Sequence, residues 1–327
     1  MPRSERWLDV HAHLIPPAFA DTWRAAPAAY RDGMPGLPPW SLAGAIDSMD
    51  RLGVHAAAVS VPSPGVSFGS PTDAPELARR FNAESADIVR GSGGRLGLLA
   101  CLPLPDTGAA LAEIDYWAAE PEVHGFVLFS NYAGRYLGDP AFRPVIAELA
   151  RRGATALLHP TSPPHADAVC RGRPAALVEF PFETSRAITD LLLSGVLADH
   201  TGLRLIVPHA GGTLSVLADR VNVLARAMSP TGVDVLAGLR SLYYDLAGPV
   251  LPRQLAALLG VTDPDHLVYG TDLPFMPAEP VHRWQRDLAG TELLDERQRQ
   301  AMAWNTAAAL FPRLNQVPRD GQHTSSP

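Results

Sequence analysis

Short apolar runs recur along the chain, separated by stretches of helix-like length and patterning, and this alternation constrains the fold more than any other feature. The runs lie near 7–12 (WLDVHA), 54–61 (VHAAAVSV), 95–101 (RLGLLAC), 124–129 (HGFVLF), 154–159 (ATALLH), 203–208 (LRLIVP), 242–247 (LYYDLA) and 267–271 (LVYGT). Helix-like segments such as 75–90, 107–119, 140–152, 184–199, 213–228 and 252–259 fall between them. Strands that alternate with helices form parallel sheets. Eight such units predict an α/β fold, a closed (β/α)8 TIM barrel of about 250 residues plus insertions. A doubly wound open sheet is the rival, but no GxGxxG follows the first strand.

We therefore expect one domain over residues 1–314. Two regions stand outside the repeat within it. Residues 16–40 are Pro-rich and carry Phe19, Trp23, Tyr30 and Trp40, which suggests a lid or rim insertion over the barrel mouth. Residues 160–182 carry prolines with Phe180 and Phe182, and read as a long loop after the fifth strand. The polar tail 315–327 is expected to be disordered.

Composition excludes several classes. The net charge of -7 and the lack of a basic cluster argue against a nucleic-acid partner. No apolar run reaches the roughly 18 residues that would span a membrane. MPRSER leads straight into a strand, so no signal peptide is expected. Cys101 and Cys170 form neither a CxxC pair nor a disulfide framework, which suits a reducing cytoplasm. All 27 basic residues are arginine. Schiff-base chemistry, a phosphate-loop lysine and a carbamylated lysine bridging two metals are thereby ruled out.

The chemistry-bearing residues sit where strands end. In Asp9-Val10-His11-Ala12-His13, alternation points His11 and His13 the same way, inward in a barrel and toward its catalytic mouth. Alone, such a pair fits two hydrogen-bonded histidines as well as a metal site. His159 (ALLHP), His209 (LIVPHAGG) and Asp272 (VYGTDLPF) end the fifth, sixth and eighth strands, however, and that placement favours a metal. Imidazole and carboxylate donors accept Zn²⁺, Mn²⁺, Fe²⁺ or Co²⁺ and leave a position open. Among the remaining histidines, His55 and His124 begin strands, at the end away from the chemistry. Only His165 is kept as a possible rim contact. Asp245 on the seventh strand is expected to make a structural hydrogen bond.

The order HxH, His, His, Asp on strands one, five, six and eight resembles the amidohydrolase superfamily. DVHAHLIPP, LLHPTSPP, PHAGGTL and YGTDLPF are similar to its branch containing aminocarboxymuconate-semialdehyde, γ-resorcylate and 6-methylsalicylate decarboxylases. PPWSLAGAIDSMDRLGV, NYAGRYLGDPAF and FPFETSRAITDLLLSG resemble the 6-methylsalicylate type. The resemblance implies one divalent metal, zinc first and manganese as the alternative, on His11, His13, His159 and Asp272. It implies His209 off the metal as a catalytic residue beside Asp272. It also implies Arg220 for the substrate's acidic group, reaching across a homodimer interface, with Phe275 against the ring; Phe180 and Phe182 are candidates for the same wall, plain packing being the alternative. Aminocarboxymuconate-semialdehyde decarboxylase has an arginine before its second strand for a second acidic group. Here there is none between Arg31 and Arg51, which favours a monocarboxylate, with Trp40 as apolar cover. The implied activity is non-oxidative decarboxylation of a small ortho-hydroxybenzoate. Two alternatives are a metal-dependent hydrolase of a lactone or amide, and a non-catalytic barrel that only binds.

Overall fold

In the computed structural model, which describes residues 6–228 and 232–314, eight parallel strands form one sheet. In chain order the strands are β1 (Trp7–His13), β2 (Val54–Ser60), β3 (Leu96–Cys101), β4 (Val123–Phe129), β5 (Asn131–Tyr132), β6 (Arg135–Tyr136), β7 (Thr155–His159), β8 (Arg204–Val207), β9 (Tyr243–Asp245) and β10 (Leu267–Val268). The sheet runs β1-β2-β3-β4-β7-β8-β9-β10, while β5 and β6 make a separate antiparallel hairpin. Every barrel strand lies within or coincides with one of the apolar runs, allowing for a residue at its ends. These runs are nearly continuous in apolar residues because helices cover the outside while side chains fill the inside. All residues of β3 and β7 are buried accordingly.

The seam between first and last strands closes the barrel. Val10 N–H donates to the Tyr269 carbonyl at 2.9 Å and His13 N–H to the Leu273 carbonyl at 2.7 Å. Asp9 fastens the same seam with its side chain, accepting from the Thr271 hydroxyl at 2.6 Å and the Thr271 N–H at 3.1 Å. β10 itself is shorter than the expected 267–271, because beyond Val268 the backbone meets β1 only through isolated bridges and these contacts.

The insertion after β1 is built into the body of the protein. Its helix Pro17–Ala25 begins with proline at a position where no helical N–H is needed. Phe19 packs edge-on against Phe68 and Phe81, with ring centroids 5.6 and 5.4 Å away. Ala18 N–H donates to Glu84 Oε2 at 2.7 Å. Further along, buried Asp32 accepts from the Ser63 hydroxyl and from Ser162 N–H, tying the insertion to the segments after β2 and β7.

One expectation is corrected. Phe180 and Phe182 lie in the helix Glu179–Leu193 and not in a loop that runs to residue 182. Pro181 falls within the first turn of this helix, where a missing N–H costs nothing. The tail 315–327 lies outside the described residues. No helix among the described residues is long and apolar enough to cross a membrane.

Candidate metal centre and active site

Residues 9, 11 and 13 alternate with outward-facing neighbours on β1, so both histidines project into the barrel. His159 arrives from the end of β7. Asp272 follows β10 with a φ of 59°, a left-handed conformation that a non-glycine residue adopts only under constraint. That constraint is visible: Asp272 N–H donates to the His11 carbonyl at 2.7 Å, and its own carbonyl accepts from Met276 N–H at 3.0 Å.

These four side chains converge. One donor atom from each of His11, His13, His159 and Asp272 lies within 4.8 Å of the others, and all four residues are buried. Asp272 Oδ1 is 3.2 Å from His13 Nε2 and 3.7 Å from His11 Nε2. His11 Nε2 is buried without any hydrogen-bond partner among the described residues. An orphaned lone pair of this kind is costly in a protein interior. It is the atom that a bound ion would engage. Three imidazoles with one carboxylate make a donor set suited to a single divalent metal.

The electrostatics agree. Burial raises the cost of charge on Asp272, but the hydrogen bond from His13 and the nearby imidazoles, His209 among them, hold its carboxyl well below the usual range. Burial also opposes charge on His11, yet Asp245 and Asp272 outweigh it and raise the imidazole to about 9. His13 and His159 are pushed down by burial. His13 and His159 are thus favoured as neutral imidazoles with lone pairs free to ligate, and the same carboxylates that raise His11, Asp245 and Asp272, would favour a metal cation beside its Nε2.

His209 borders the cluster with its Nε2 3.6 Å from Asp272 Oδ2. It also has a positive φ, 54°, and occupies the turn after β8. Asp245 accepts from His209 N–H with one oxygen at 2.9 Å and meets His11 Nδ1 with the other, also at 2.9 Å. The hydrogen bond expected of Asp245 is present and reaches His11.

The expected aromatic residues divide. The Phe275 ring meets His13 edge-on at 5.5 Å, and the Phe180 ring meets His159 at 6.1 Å. Phe182 turns outward, 40 % exposed, with the Arg186 guanidinium over its ring. Arg220 is exposed on the helix Leu214–Met228, with no ion-pair partner among the described residues. His165 lines a rim cavity of about 440 Å³ together with Tyr30, Asp32, Asn131 and Thr161. Trp40 lines a crevice of about 580 Å³ beside the helix Leu42–Leu52, and Asp9, His13 and Leu273 are part of the same lining.

Two further residues beside the cluster carry no expectation from the sequence. Asp9 shares the inward face with His11 and His13, so the alternation that identified them also marked it. Gln254 donates to the His209 carbonyl at 2.6 Å and the Gly212 carbonyl at 3.0 Å, and nothing in its local sequence signals this.

An eight-stranded parallel barrel with a His₃Asp cluster at the strand ends defines a metal-site barrel of the amidohydrolase kind. The amidohydrolase family profile matches residues 8–313, and the chain belongs to that family. It is 35 % identical to the 6-methylsalicylic acid decarboxylase of Penicillium expansum, over 95 % of this chain and 97 % of that one. A crystal structure described as amidohydrolase II superposes with a TM-score of 0.87 at 28 % identity, covering 94 % of this chain and 99 % of that one. A dihydroxybenzoic acid decarboxylase from Polaromonas sp., crystallised with bound manganese and 2-nitroresorcinol, superposes with a TM-score of 0.78 at 21 % identity. That match covers 95 % of this chain and 97 % of the other.

Proposed function

We propose that the protein is a metal-dependent decarboxylase of a small aromatic acid bearing an ortho hydroxyl, in the manner of 6-methylsalicylate. The observation that carries this reading is the convergence of His11, His13, His159 and Asp272 in a chain so similar, over nearly its full length, to a 6-methylsalicylic acid decarboxylase. His11, His13, His159 and Asp272 hold one divalent ion. Zinc is the first assignment because the donors are mainly imidazole, with manganese as the alternative. Such an ion supplies positive charge that orients the acid's oxygens and draws electron density from the ring.

The chain's own groups then carry the proton. Asp272 is held as a carboxylate and takes the proton of the substrate hydroxyl. It delivers this proton to the ring carbon that bears the carboxylate. The new C–H bond interrupts aromaticity; the C–C bond then breaks, CO₂ departs, and the bonding pair restores the ring. The phenolate product regains a proton from water. His209 stands at the second oxygen of Asp272, where it stabilises the changing charge. Phe275 and Phe180 form apolar walls for the ring beside the cluster.

CO₂ release and product mass, measured with 6-methylsalicylate, salicylate, orsellinate and γ-resorcylate, test this reading. Turnover is expected on at least one acid, to vanish after chelation and to return with zinc or manganese. Silence on all four acids, with one metal bound per chain and hydrolysis of a lactone or amide, would replace it with the hydrolase.

A homodimer accompanies this reading. On the helix Leu214–Met228, Val216 (72 % exposed), Arg220 and Val223 (64 % exposed) share one face at helical spacing, and Met228 (79 % exposed) ends the same helix. A second copy covering this face removes the apolar surface from water and places Arg220 at the interface. Sedimentation is expected to give twice the chain mass, and Val223→Arg to halve it. A wild-type monomer at micromolar concentration rejects the dimer.

A further inference from the structure

We propose that Asp245 is a positioning residue that joins two functions of the site, setting the tautomer of His11 and the placement of His209 through one buried carboxylate. This inference rests on the metal-centre reading above and gives it a testable internal mechanism. Asp245 ends β9 and is fully buried. Its Oδ2 lies 2.9 Å from His11 Nδ1, and its Oδ1 accepts from His209 N–H at 2.9 Å and Ala247 N–H at 3.0 Å. Both oxygens thus face donors, and no arginine pairs with them among the described residues.

The consequence follows from hydrogen-bond inventory. When the His11 proton resides on Nδ1 and points at a carboxylate, Nε2 carries a lone pair. Nε2 is the atom left buried and unpartnered at the centre of the cluster. A hydrogen-bonded carboxylate on the far nitrogen also makes an imidazole a stronger ligand. An asparagine offers only one acceptor oxygen. If that oxygen accepts from His209 N–H, the amide nitrogen faces His11 and drives the imidazole proton onto Nε2, into the metal seat. If the amide flips, two N–H groups meet at His209 and the turn shifts. Either way one function is lost, which is why this position calls for a carboxylate.

The His209 turn is gripped at both ends. Asp245 takes its N–H, while the Gln254 amide donates to its carbonyl at 2.6 Å and to the Gly212 carbonyl at 3.0 Å. A residue in the left-handed region, at a φ of 54°, persists only when its surroundings over-determine it. These three hydrogen bonds supply that determination.

Zinc affinity of Asp245→Asn, measured by competition with a chromogenic chelator, is expected to be about 10- to 100-fold weaker than wild type. Its kcat is expected to fall more than its KM changes. Gln254→Met removes only the grip on the His209 turn, and should keep zinc affinity while lowering kcat about tenfold. ¹⁵N spectra of histidine in the zinc-loaded wild-type protein need no variant and should show His11 protonated at Nδ1 and ligated at Nε2. Wild-type zinc affinity in Asp245→Asn, or a His11 proton on Nε2, overturns the assignment. Weakened affinity alongside a wild-type protein inactive on every aromatic acid leaves the assignment standing and removes the decarboxylase reading alone.

Discussion

Asp272→Asn is expected to lower kcat at least about 1000-fold, the upper range of what one proton-transferring group contributes, and to reduce bound metal at the same time. The double loss follows from where the two oxygens lie. Oδ1 is within 3.2 Å of His13 Nε2 and 3.7 Å of His11 Nε2, so it belongs to the ligand cluster; Oδ2 faces His209 at 3.6 Å. An amide keeps the shape but removes the negative charge and one acceptor, and it cannot take up the substrate's hydroxyl proton. Metal content by elemental analysis and steady-state turnover at saturating metal separate the two losses. If the variant reloaded fully and kept more than a tenth of wild-type turnover, Asp272 would not be the proton carrier.

Gly212→Ala is expected to cost about 4 kcal/mol, combining backbone strain with overpacking against a rigid neighbour. Gly212 adopts φ 61° and ψ -118°, a combination open to glycine and strained for any L side chain. An added Cβ would also stand 2.4 Å from the Pro181 carbonyl oxygen. That oxygen cannot retreat easily, since it accepts from the Ser185 hydroxyl at 2.8 Å within the same helix. A fall of roughly 10 °C in the thermal midpoint follows from the usual stability-to-temperature conversion for a domain of this size. Turnover should fall too, because Gln254 holds the Gly212 and His209 carbonyls together. An unchanged midpoint would show that the His209 turn rearranges freely.

Much of this architecture was legible in the sequence because barrel strands are buried on both faces and so appear as uninterrupted apolar runs. The first run carried both its strand assignment and the inward direction of His11 and His13, since side-chain alternation needs no tertiary information. His159 and Asp272 were readable as the end positions of later strands, and their meeting within 4.8 Å is the geometry that barrel closure provides. The resemblance to the decarboxylase branch supplied the roles, which no spacing could have given. What stayed hidden depends on long-range contact. The outward turn of Phe182, against the inward turn of Phe180 two residues earlier, follows from a helix beginning before Pro181 instead of after it. Gln254 reaches its partners 45 and 42 residues away in the chain, from a helix with no distinguishing motif. Asp245 was visible as an interior carboxylate, but its partners His11 and His209 lie 234 and 36 residues away and only the folded chain brings them together.

The closing seam between β1 and β10 has a consequence for how the protein comes to exist. During synthesis His11 and His13 emerge first of the four donors, His159 follows, and Asp272 comes last, 113 residues (272 − 159) after His159. Three imidazoles without the carboxylate form a weaker seat, and the seam that would hold His11 in place is still open. The donor set is therefore complete only late, once the Thr271–Asp9 and Asp272–His11 hydrogen bonds of the seam can form. Uptake of the ion is in this sense a test of completion: a chain cut short before its last strand keeps most of the donors yet has no finished place to hold the ion.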